Sequence, residues 1–122
     1  MLIILDTETT SLRYEEGEII CLGIKINDSP TEIYFDKIPR EVINILESPE
    51  YLKIGHNISF DCKFLRKRGI NICGPYFDTK IAYFQLHPFE SLSLKDILVK
   101  IGWKVKKFTD IVGTGRNKIT ID

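Results

Sequence analysis

Two carboxylates near the start of the chain, Asp6 and Glu8, directly follow the short apolar run Leu2–Leu5. This unbroken run predicts a strand that is buried on both faces. Side chains two positions apart in a strand point to the same side, so Asp6 and Glu8 should project together. Charge at the edge of a core is costly unless it is compensated, and no basic residue stands beside the pair in sequence. The pair therefore indicates a divalent-metal site; the alternative is a polar turn that ends in two solvated acids.

A third carboxylate, Asp61, stands four residues after Asn57 at the predicted start of a helix. This spacing predicts that the two share a helix face, which Leu65 continues and directs towards the protein. If the strand before this helix runs parallel to the first strand, their carboxyl ends meet at one edge of the sheet, where ligands bind. Three converging carboxylates repel one another, and bound Mg²⁺ or Mn²⁺ would relieve this. Two such ions form a site that cleaves phosphodiesters. The alternative is an exposed acid that favours the helix dipole.

The elements that must position these acids follow from periodicity and turn residues. Strands are predicted over residues 2–6, 18–27, 31–36, 52–55 and 75–77. Helices are predicted from Pro39, over residues 58–68, from an Asp78 cap to Pro88, and from a Ser91 or Ser93 cap to Gly102. The first three strands should be antiparallel and the others parallel. The fold class is therefore α/β, a mixed five-stranded sheet with helices packed on it.

Composition limits the remaining possibilities. A length of 122 residues with 43% hydrophobic residues predicts one domain, residues 1–122, with a sizeable core. The net charge is zero, but residues 1–61 carry −7 and residues 62–122 carry +7. This division favours a polyanionic substrate held beside a cation; the alternative is chance clustering of solvated charges. The three scattered cysteines predict reduced thiols, and no apolar run is long enough for a membrane span, so a cytoplasmic or nucleoid-associated protein is expected.

The order and wording of these motifs resemble the DnaQ-like, DEDD-type 3′→5′ exonuclease domains, above all the proofreading domain of family A DNA polymerases. The first motif of that family is D-x-E, here Asp6-Thr7-Glu8, and the second is N-x-x-x-D, here Asn57 to Asp61. The resemblance implies a ribonuclease H-like sheet of order 3-2-1-4-5. It also implies two divalent ions, Mg²⁺ or Mn²⁺, with Asp6, Glu8 and Asp61 as catalytic metal ligands.

The same resemblance implies the substrate and its contacts. The substrate is the 3′ end of single-stranded DNA, with a polymerase domain as a partner in cis or in trans. Thr9 would contact the terminal nucleotide, Leu12 would wedge against its base, and Asn57 would orient the substrate. Asp78 matches a family position but is expected to be a helix cap.

The chain departs from this family at the third motif, Y-x-x-x-D or H-x-x-x-D. Asp110 and Asp122 are preceded, four residues earlier, by Lys106 and Lys118. The fourth carboxylate is therefore expected to be missing, as in a fragment or a truncated reading frame. Two alternatives to the DNA exonuclease stay open: a catalytically incomplete nucleic-acid-binding or structural module of a polymerase, and a ribonuclease of the same superfamily. Trp103 is expected to pack in the core.

Overall fold

A five-stranded mixed sheet organises residues 1–104, the part of the chain that the computed structural model describes. In chain order its elements are β1 (Leu2–Thr9), β2 (Ile19–Ile26), β3 (Glu32–Tyr34), α1 (Arg40–Leu46), β4 (Leu52–Gly55), α2 (Ile58–Lys67), β5 (Tyr76–Asp78), α3 (Thr79–Leu86) and α4 (Leu94–Lys100). The loop predicted for residues 104–122 falls, apart from Lys104, outside the described residues.

The strand order is β3-β2-β1-β4-β5, as the sequence predicted. β2 is antiparallel to both β1 and β3, whereas β4 is parallel to β1 and β5 is parallel to β4. The pairing of β1 with β4 covers Leu2 to Ile4, but its pairing with β2 continues as far as Thr9. β1 is therefore longer than predicted, and its second half extends past the region where β4 is paired with it.

The core lies on one face of the sheet. Ile3 and Leu5 of β1 join the buried side chains of β2, α1 and α2 in one cluster, whose members are Leu22, Ile24, Val42, Leu46, Ile58, Cys62, Leu65, Ile70 and Ile72. Val42 and Leu46 are four apart on α1, and Ile58, Cys62 and Leu65 follow the same helical spacing on α2, so each helix turns one apolar stripe to the sheet.

The prediction that β1 is buried on both faces is wrong. Leu2 and Ile4 are 37% and 45% exposed, while Ile3 and Leu5 are buried. The reason is that α1 and α2 both pack on the Ile3 side of the strand. An uninterrupted apolar run carries no alternation from which a one-sided strand could be recognised.

The helix ends agree well with the capping residues. Gly69, directly after the C-terminal cap of α2, has a φ of 89°, and Gly102 after α4 has a φ of 97°. Both lie in the left-handed region that glycine adopts at low cost. Ser93 caps α4 by accepting a hydrogen bond from the N–H of Asp96. Trp103 is 66% exposed, so its expected place in the core is wrong.

The three cysteines are free thiols, as expected. Among residues 1–104 there is no helix with both the length and the apolar character that crossing a membrane requires.

Candidate active site

The central strand β1 presents two different surfaces at the site. Asp6 and Glu8 lie on the same face as Leu2 and Ile4, and Thr7 lies buried on the opposite face with Ile3 and Leu5. Asp6 and Glu8 do project together, as strand geometry requires. Since β4 pairs only with the first part of β1, both acids lie beyond its paired region, at the carboxyl end of the parallel strands.

Asp61 on α2 is 2% exposed and packs directly against β1. Its Oδ1 accepts hydrogen bonds from the backbone N–H of Thr7 at 3.0 Å and from the Thr7 hydroxyl at 2.5 Å. An exposed acid in the first turn of the helix is therefore excluded. The Oδ1 atom of Asp61 is therefore fixed at Thr7, which stands between Asp6 and Glu8 in β1 but points to the opposite face of the strand.

All three acids resist ionisation. Burial raises the pKa of Asp61 to about 6, although the hydrogen bonds from Thr7 oppose the shift, and the neighbouring charge of Asp6 adds to it. Desolvation also raises the pKa of Asp6, against the effect of its backbone hydrogen bond and of His56. The pKa of Glu8 is raised by desolvation and by the charge of Asp6. The acids are thus coupled electrostatically, and the metal-free site carries an unfavourable excess of negative charge.

The described residues contain no group of three or more His, Cys, Asp or Glu side chains arranged to hold a metal ion. The chemistry of the donors nevertheless suits a hard cation, because Asp6, Glu8 and Asp61 all offer oxygen ligands. A cation among them would offset the repulsion and desolvation that raise their pKa values. The residues present therefore fit a divalent metal by charge and ligand type.

The start of α2 differs from the prediction in one respect. Asn57 is the N-terminal cap residue, with a left-handed φ of 61°, and its side chain is exposed. It therefore does not share a helix face with buried Asp61, because the helical repeat begins only at Ile58. Asp78 accepts hydrogen bonds from the N–H groups of Asn57 at 2.9 Å and Ile58 at 3.0 Å, and from that of Lys80 at 2.8 Å.

Asp78 caps α3, as expected, and it also caps the start of α2, which the sequence did not reveal. One carboxylate supplies acceptors to the starts of both α2 and α3. Partial burial opposes ionisation of Asp78, yet the N–H groups of Asn57, Lys80 and Ile58 hold its pKa below the usual value. Asp78 therefore fixes the beginning of the helix that carries Asp61.

Two predicted substrate contacts lie at the end of β1 and in the loop that follows it. The hydroxyl of Thr9, the last residue of β1, donates to the carbonyl of Ser11 at 2.8 Å. Leu12 is 87% exposed, so its side chain is available to a ligand. The loop is closed by the N–H of Thr10, which donates to the carbonyl of Glu18 at 2.9 Å.

Sequence reasoning missed Thr7 and Lys67. Strand alternation places Thr7 on the face opposite the two acids, but nothing in the sequence indicated its contact with Asp61. Lys67 Nζ donates to the carbonyls of Tyr14 at 2.7 Å and Gly17 at 2.6 Å, and no spacing in the sequence links residues so far apart.

His56 is a hydrogen-bonded loop histidine, as expected. Its Nε2 lies 2.6 Å from the carbonyl of Leu92, so this nitrogen carries the proton.

Comparison with known proteins agrees with this geometry. A family model described as 3′-5′ exonuclease, the exonuclease domain of family A DNA polymerases, matches residues 2–122. The chain belongs to this 3′-5′ exonuclease family. DNA polymerase I of Pseudomonas aeruginosa is 26% identical over 99% of the chain, and that of Borreliella burgdorferi is 31% identical over 94%. The chain spans only 15% and 14% of the length of these two polymerases.

Solved structures show the same fold. NrnC of Brucella melitensis superimposes with a TM-score of 0.77 at 23% identity, covering 87% of this chain and 54% of its own. RNase D of Escherichia coli, an exoribonuclease, superimposes with a TM-score of 0.65 at 16% identity, covering 83% of this chain and 28% of its own. At these identities the likeness defines the fold, which is the ribonuclease H-like fold of such exonucleases.

Proposed function

We propose that this chain is a nuclease that hydrolyses the 3′-terminal phosphodiester of single-stranded DNA, with two Mg²⁺ or Mn²⁺ ions held by Asp6, Glu8 and Asp61. The observation that carries the proposal is the position of Asp61. This buried carboxyl is held by Thr7 against the strand that presents Asp6 and Glu8, and its pKa is raised to about 6. Burying a carboxyl is costly even where hydrogen bonds satisfy it, and perturbed acids concentrate at functional sites.

The chain's own residues would bind and orient the substrate. The exposed Leu12 would press against the terminal base, Thr9 would hold the terminal nucleotide, and Asn57 would direct the strand at the start of α2. Bound divalent ions would supply activation of water and stabilisation of the leaving oxygen. The acids would hold those ions, since the electrostatic cost of the metal-free site makes cation binding favourable there.

Support for a metal and a nucleic-acid ligand comes from relatives. NrnC has been solved with bound Mg²⁺ and bound to pGG. The relatives named DNA polymerase I further support a polymerase domain as the partner, in cis or in trans.

A 3′-labelled single-strand degradation assay with Mg²⁺ or Mn²⁺ tests the proposal. We expect release of labelled mononucleotide, and a loss of more than about 100-fold in Asp6→Ala and Glu8→Gln, because each removes a ligand anion. Asp28→Ala is the matched control, since Asp28 is an exposed acid in a turn. Activity that survives in Asp6→Ala would refute the assignment. Parallel DNA and RNA oligonucleotides of one sequence distinguish the ribonuclease alternative, which the likeness to RNase D supports.

A non-catalytic nucleic-acid-binding module is the second candidate. It is favoured by the lack, in residues 1–104, of an arranged group of three ligands. This candidate predicts weak Mn²⁺ binding that Asp6→Ala abolishes, salt-sensitive affinity for DNA, and no turnover. Calorimetric titration with Mn²⁺, run beside the degradation assay, separates the two candidates.

A further inference from the structure

The two oxygens of the Asp61 carboxyl have different surroundings. Oδ1 accepts two hydrogen bonds from Thr7, one from its backbone N–H at 3.0 Å and one from its hydroxyl at 2.5 Å. A carboxylate oxygen has two lone pairs, so these two bonds fill the acceptor capacity of Oδ1. Within residues 1–104, no other residue donates a hydrogen bond to Oδ2. Oδ2 is therefore the oxygen that Asp61 can offer to a cation.

The contact between Thr7 and Asp61 is held by fixed parts of the fold. The pairing of β4 with β1 ends at Ile4, and beyond it the N–H of Thr7 donates to the Asp61 side chain. The Thr7 side chain is 6% exposed and lies on the core face of β1. Because its Cβ is branched, its hydroxyl has little rotational freedom. Turning the carboxyl to present both oxygens to an ion would break two buried hydrogen bonds, so Asp61 is restricted to one.

A carboxylate restricted to one oxygen discriminates between divalent ions. Mg²⁺ requires a small, nearly octahedral shell, which single oxygens from separate groups can satisfy. Ca²⁺ takes a wider and less regular shell, in which a carboxylate can bind through both of its oxygens. Mn²⁺ takes the same kinds of oxygen ligand as Mg²⁺. The restriction on Asp61 therefore suits Mg²⁺ and Mn²⁺ better than Ca²⁺.

We propose that Thr7 determines which divalent ion the acids select. Its hydroxyl, together with its N–H, occupies Oδ1 of Asp61, leaves only Oδ2 as a ligand, and so favours Mg²⁺ and Mn²⁺ over Ca²⁺. Thr7 touches no ion and acts through Asp61, which makes it a positioning residue. The inference rests on the proposed function, because it concerns ions at the same acids.

Calorimetric titrations with MgCl₂, MnCl₂ and CaCl₂ at pH 7.5, without nucleic acid, test the proposal. Thr7→Val keeps the size and the N–H of the residue but removes the hydroxyl, so one lone pair of Oδ1 becomes available to an ion. The ratio of Mg²⁺ affinity to Ca²⁺ affinity should fall by about tenfold, the scale of effect when a group that orients a metal ligand is removed. The ratio of Mn²⁺ to Ca²⁺ affinity should fall with it. Thr7→Ser keeps a hydroxyl and should retain the wild-type ratios.

Thr31→Val is the matched control, because Thr31 is an exposed threonine just before β3. A merely structural role of Thr7 would change the affinities for all three ions by one factor and leave their ratios alone. Unchanged ratios in Thr7→Val, with a wild type that binds Mg²⁺ and digests single-stranded DNA, would overturn this inference alone. A wild type that binds neither Mg²⁺ nor Mn²⁺ and does not digest DNA would overturn the proposed function as well. If Thr7→Val does not fold, Thr7→Ala, which also lacks the hydroxyl, provides the same comparison of ratios.

Discussion

Replacing Asp61 with asparagine should stabilise the metal-free protein at neutral pH while it abolishes metal binding. Burial raises the pKa of this carboxyl from 3.8 to about 6, so ionised Asp61 costs the folded state about 3 kcal/mol at 1.36 kcal/mol per pKa unit. Asparagine has nearly the same shape and can still accept hydrogen bonds from the N–H and hydroxyl of Thr7. Its added NH₂ group needs an acceptor, so we expect a gain of about 1–3 kcal/mol in the free energy of unfolding.

The stability difference between Asp61→Asn and the wild type should depend on pH, and the direction of this dependence tests the explanation. The folded protein binds the Asp61 proton more tightly than the unfolded chain does, so this group lowers the stability of the wild type as pH rises from about 4 to about 6. Asparagine does not titrate. The advantage of Asp61→Asn should therefore be complete above pH 7, smaller at pH 5, and absent below pH 4.

Urea unfolding followed by circular dichroism, in EDTA at pH 7.5 and pH 5, measures the effect. Added Mg²⁺ should then stabilise the wild type but not Asp61→Asn, because the variant lacks the Asp61 carboxylate as a ligand. Asp28→Asn, in an exposed turn, should change the free energy of unfolding by less than about 0.5 kcal/mol at either pH. A variant that is no more stable than the wild type at pH 7.5, or whose advantage is equal at both pH values, would contradict this account of Asp61.

Three further substitutions test the scaffold around the acids. Asp78→Ala should lower the free energy of unfolding by about 1–3 kcal/mol in urea titrations, because two helices lose their cap; an effect no larger than that of Asp28→Ala would contradict the shared cap. Lys67→Met should raise KM for oligonucleotides several-fold at unchanged kcat, because it frees the loop after β1. The control is Lys37→Met, at an exposed lysine in the loop between β3 and α1. Equal KM values in the two variants would show that the loop keeps its position without Lys67. His56→Leu removes the hydrogen bond to the carbonyl of Leu92 and should cost about 1–2 kcal/mol in thermal unfolding, a loss that an unchanged melting temperature would exclude.

Short-range patterns were enough to predict the fold. The turn after β2, the caps Asp78 and Ser93, and Gly69 after α2 each depend on a backbone requirement that a few adjacent residues satisfy. The strand order, by contrast, was expected from the resemblance to the exonuclease family. What could not be predicted was which face of β1 the helices cover, because Leu2–Leu5 is apolar at every position.

The acids of the proposed site could be selected from the sequence, but their arrangement could not. Asp6, Glu8 and Asp61 were predicted to be acids of one site, and in the structure the charge of Asp6 raises the pKa of both Glu8 and Asp61. The link through Thr7 and the exposure of Asn57 depend on where α2 begins relative to β1. Neither the contact of Thr7 with Asp61 nor the exposure of Asn57 follows from residue type and spacing alone.

The placement of the acids on β1 explains how the fold tolerates them. β1 is the central strand, paired with β2 from Ile3 to Thr9 and with β4 from Leu2 to Ile4, so the backbone that carries Asp6 and Glu8 is paired on the β2 side. The pairing with β2 holds this part of the strand rigid, and the packed core stabilises the fold enough to offset side chains whose ionisation is unfavourable. The same rigidity keeps the carboxyl groups in place when no cation is bound. Asp61 adds the helix to this arrangement through Thr7, so cation binding at the acids should stabilise the contact of α2 with β1 as well as the site itself.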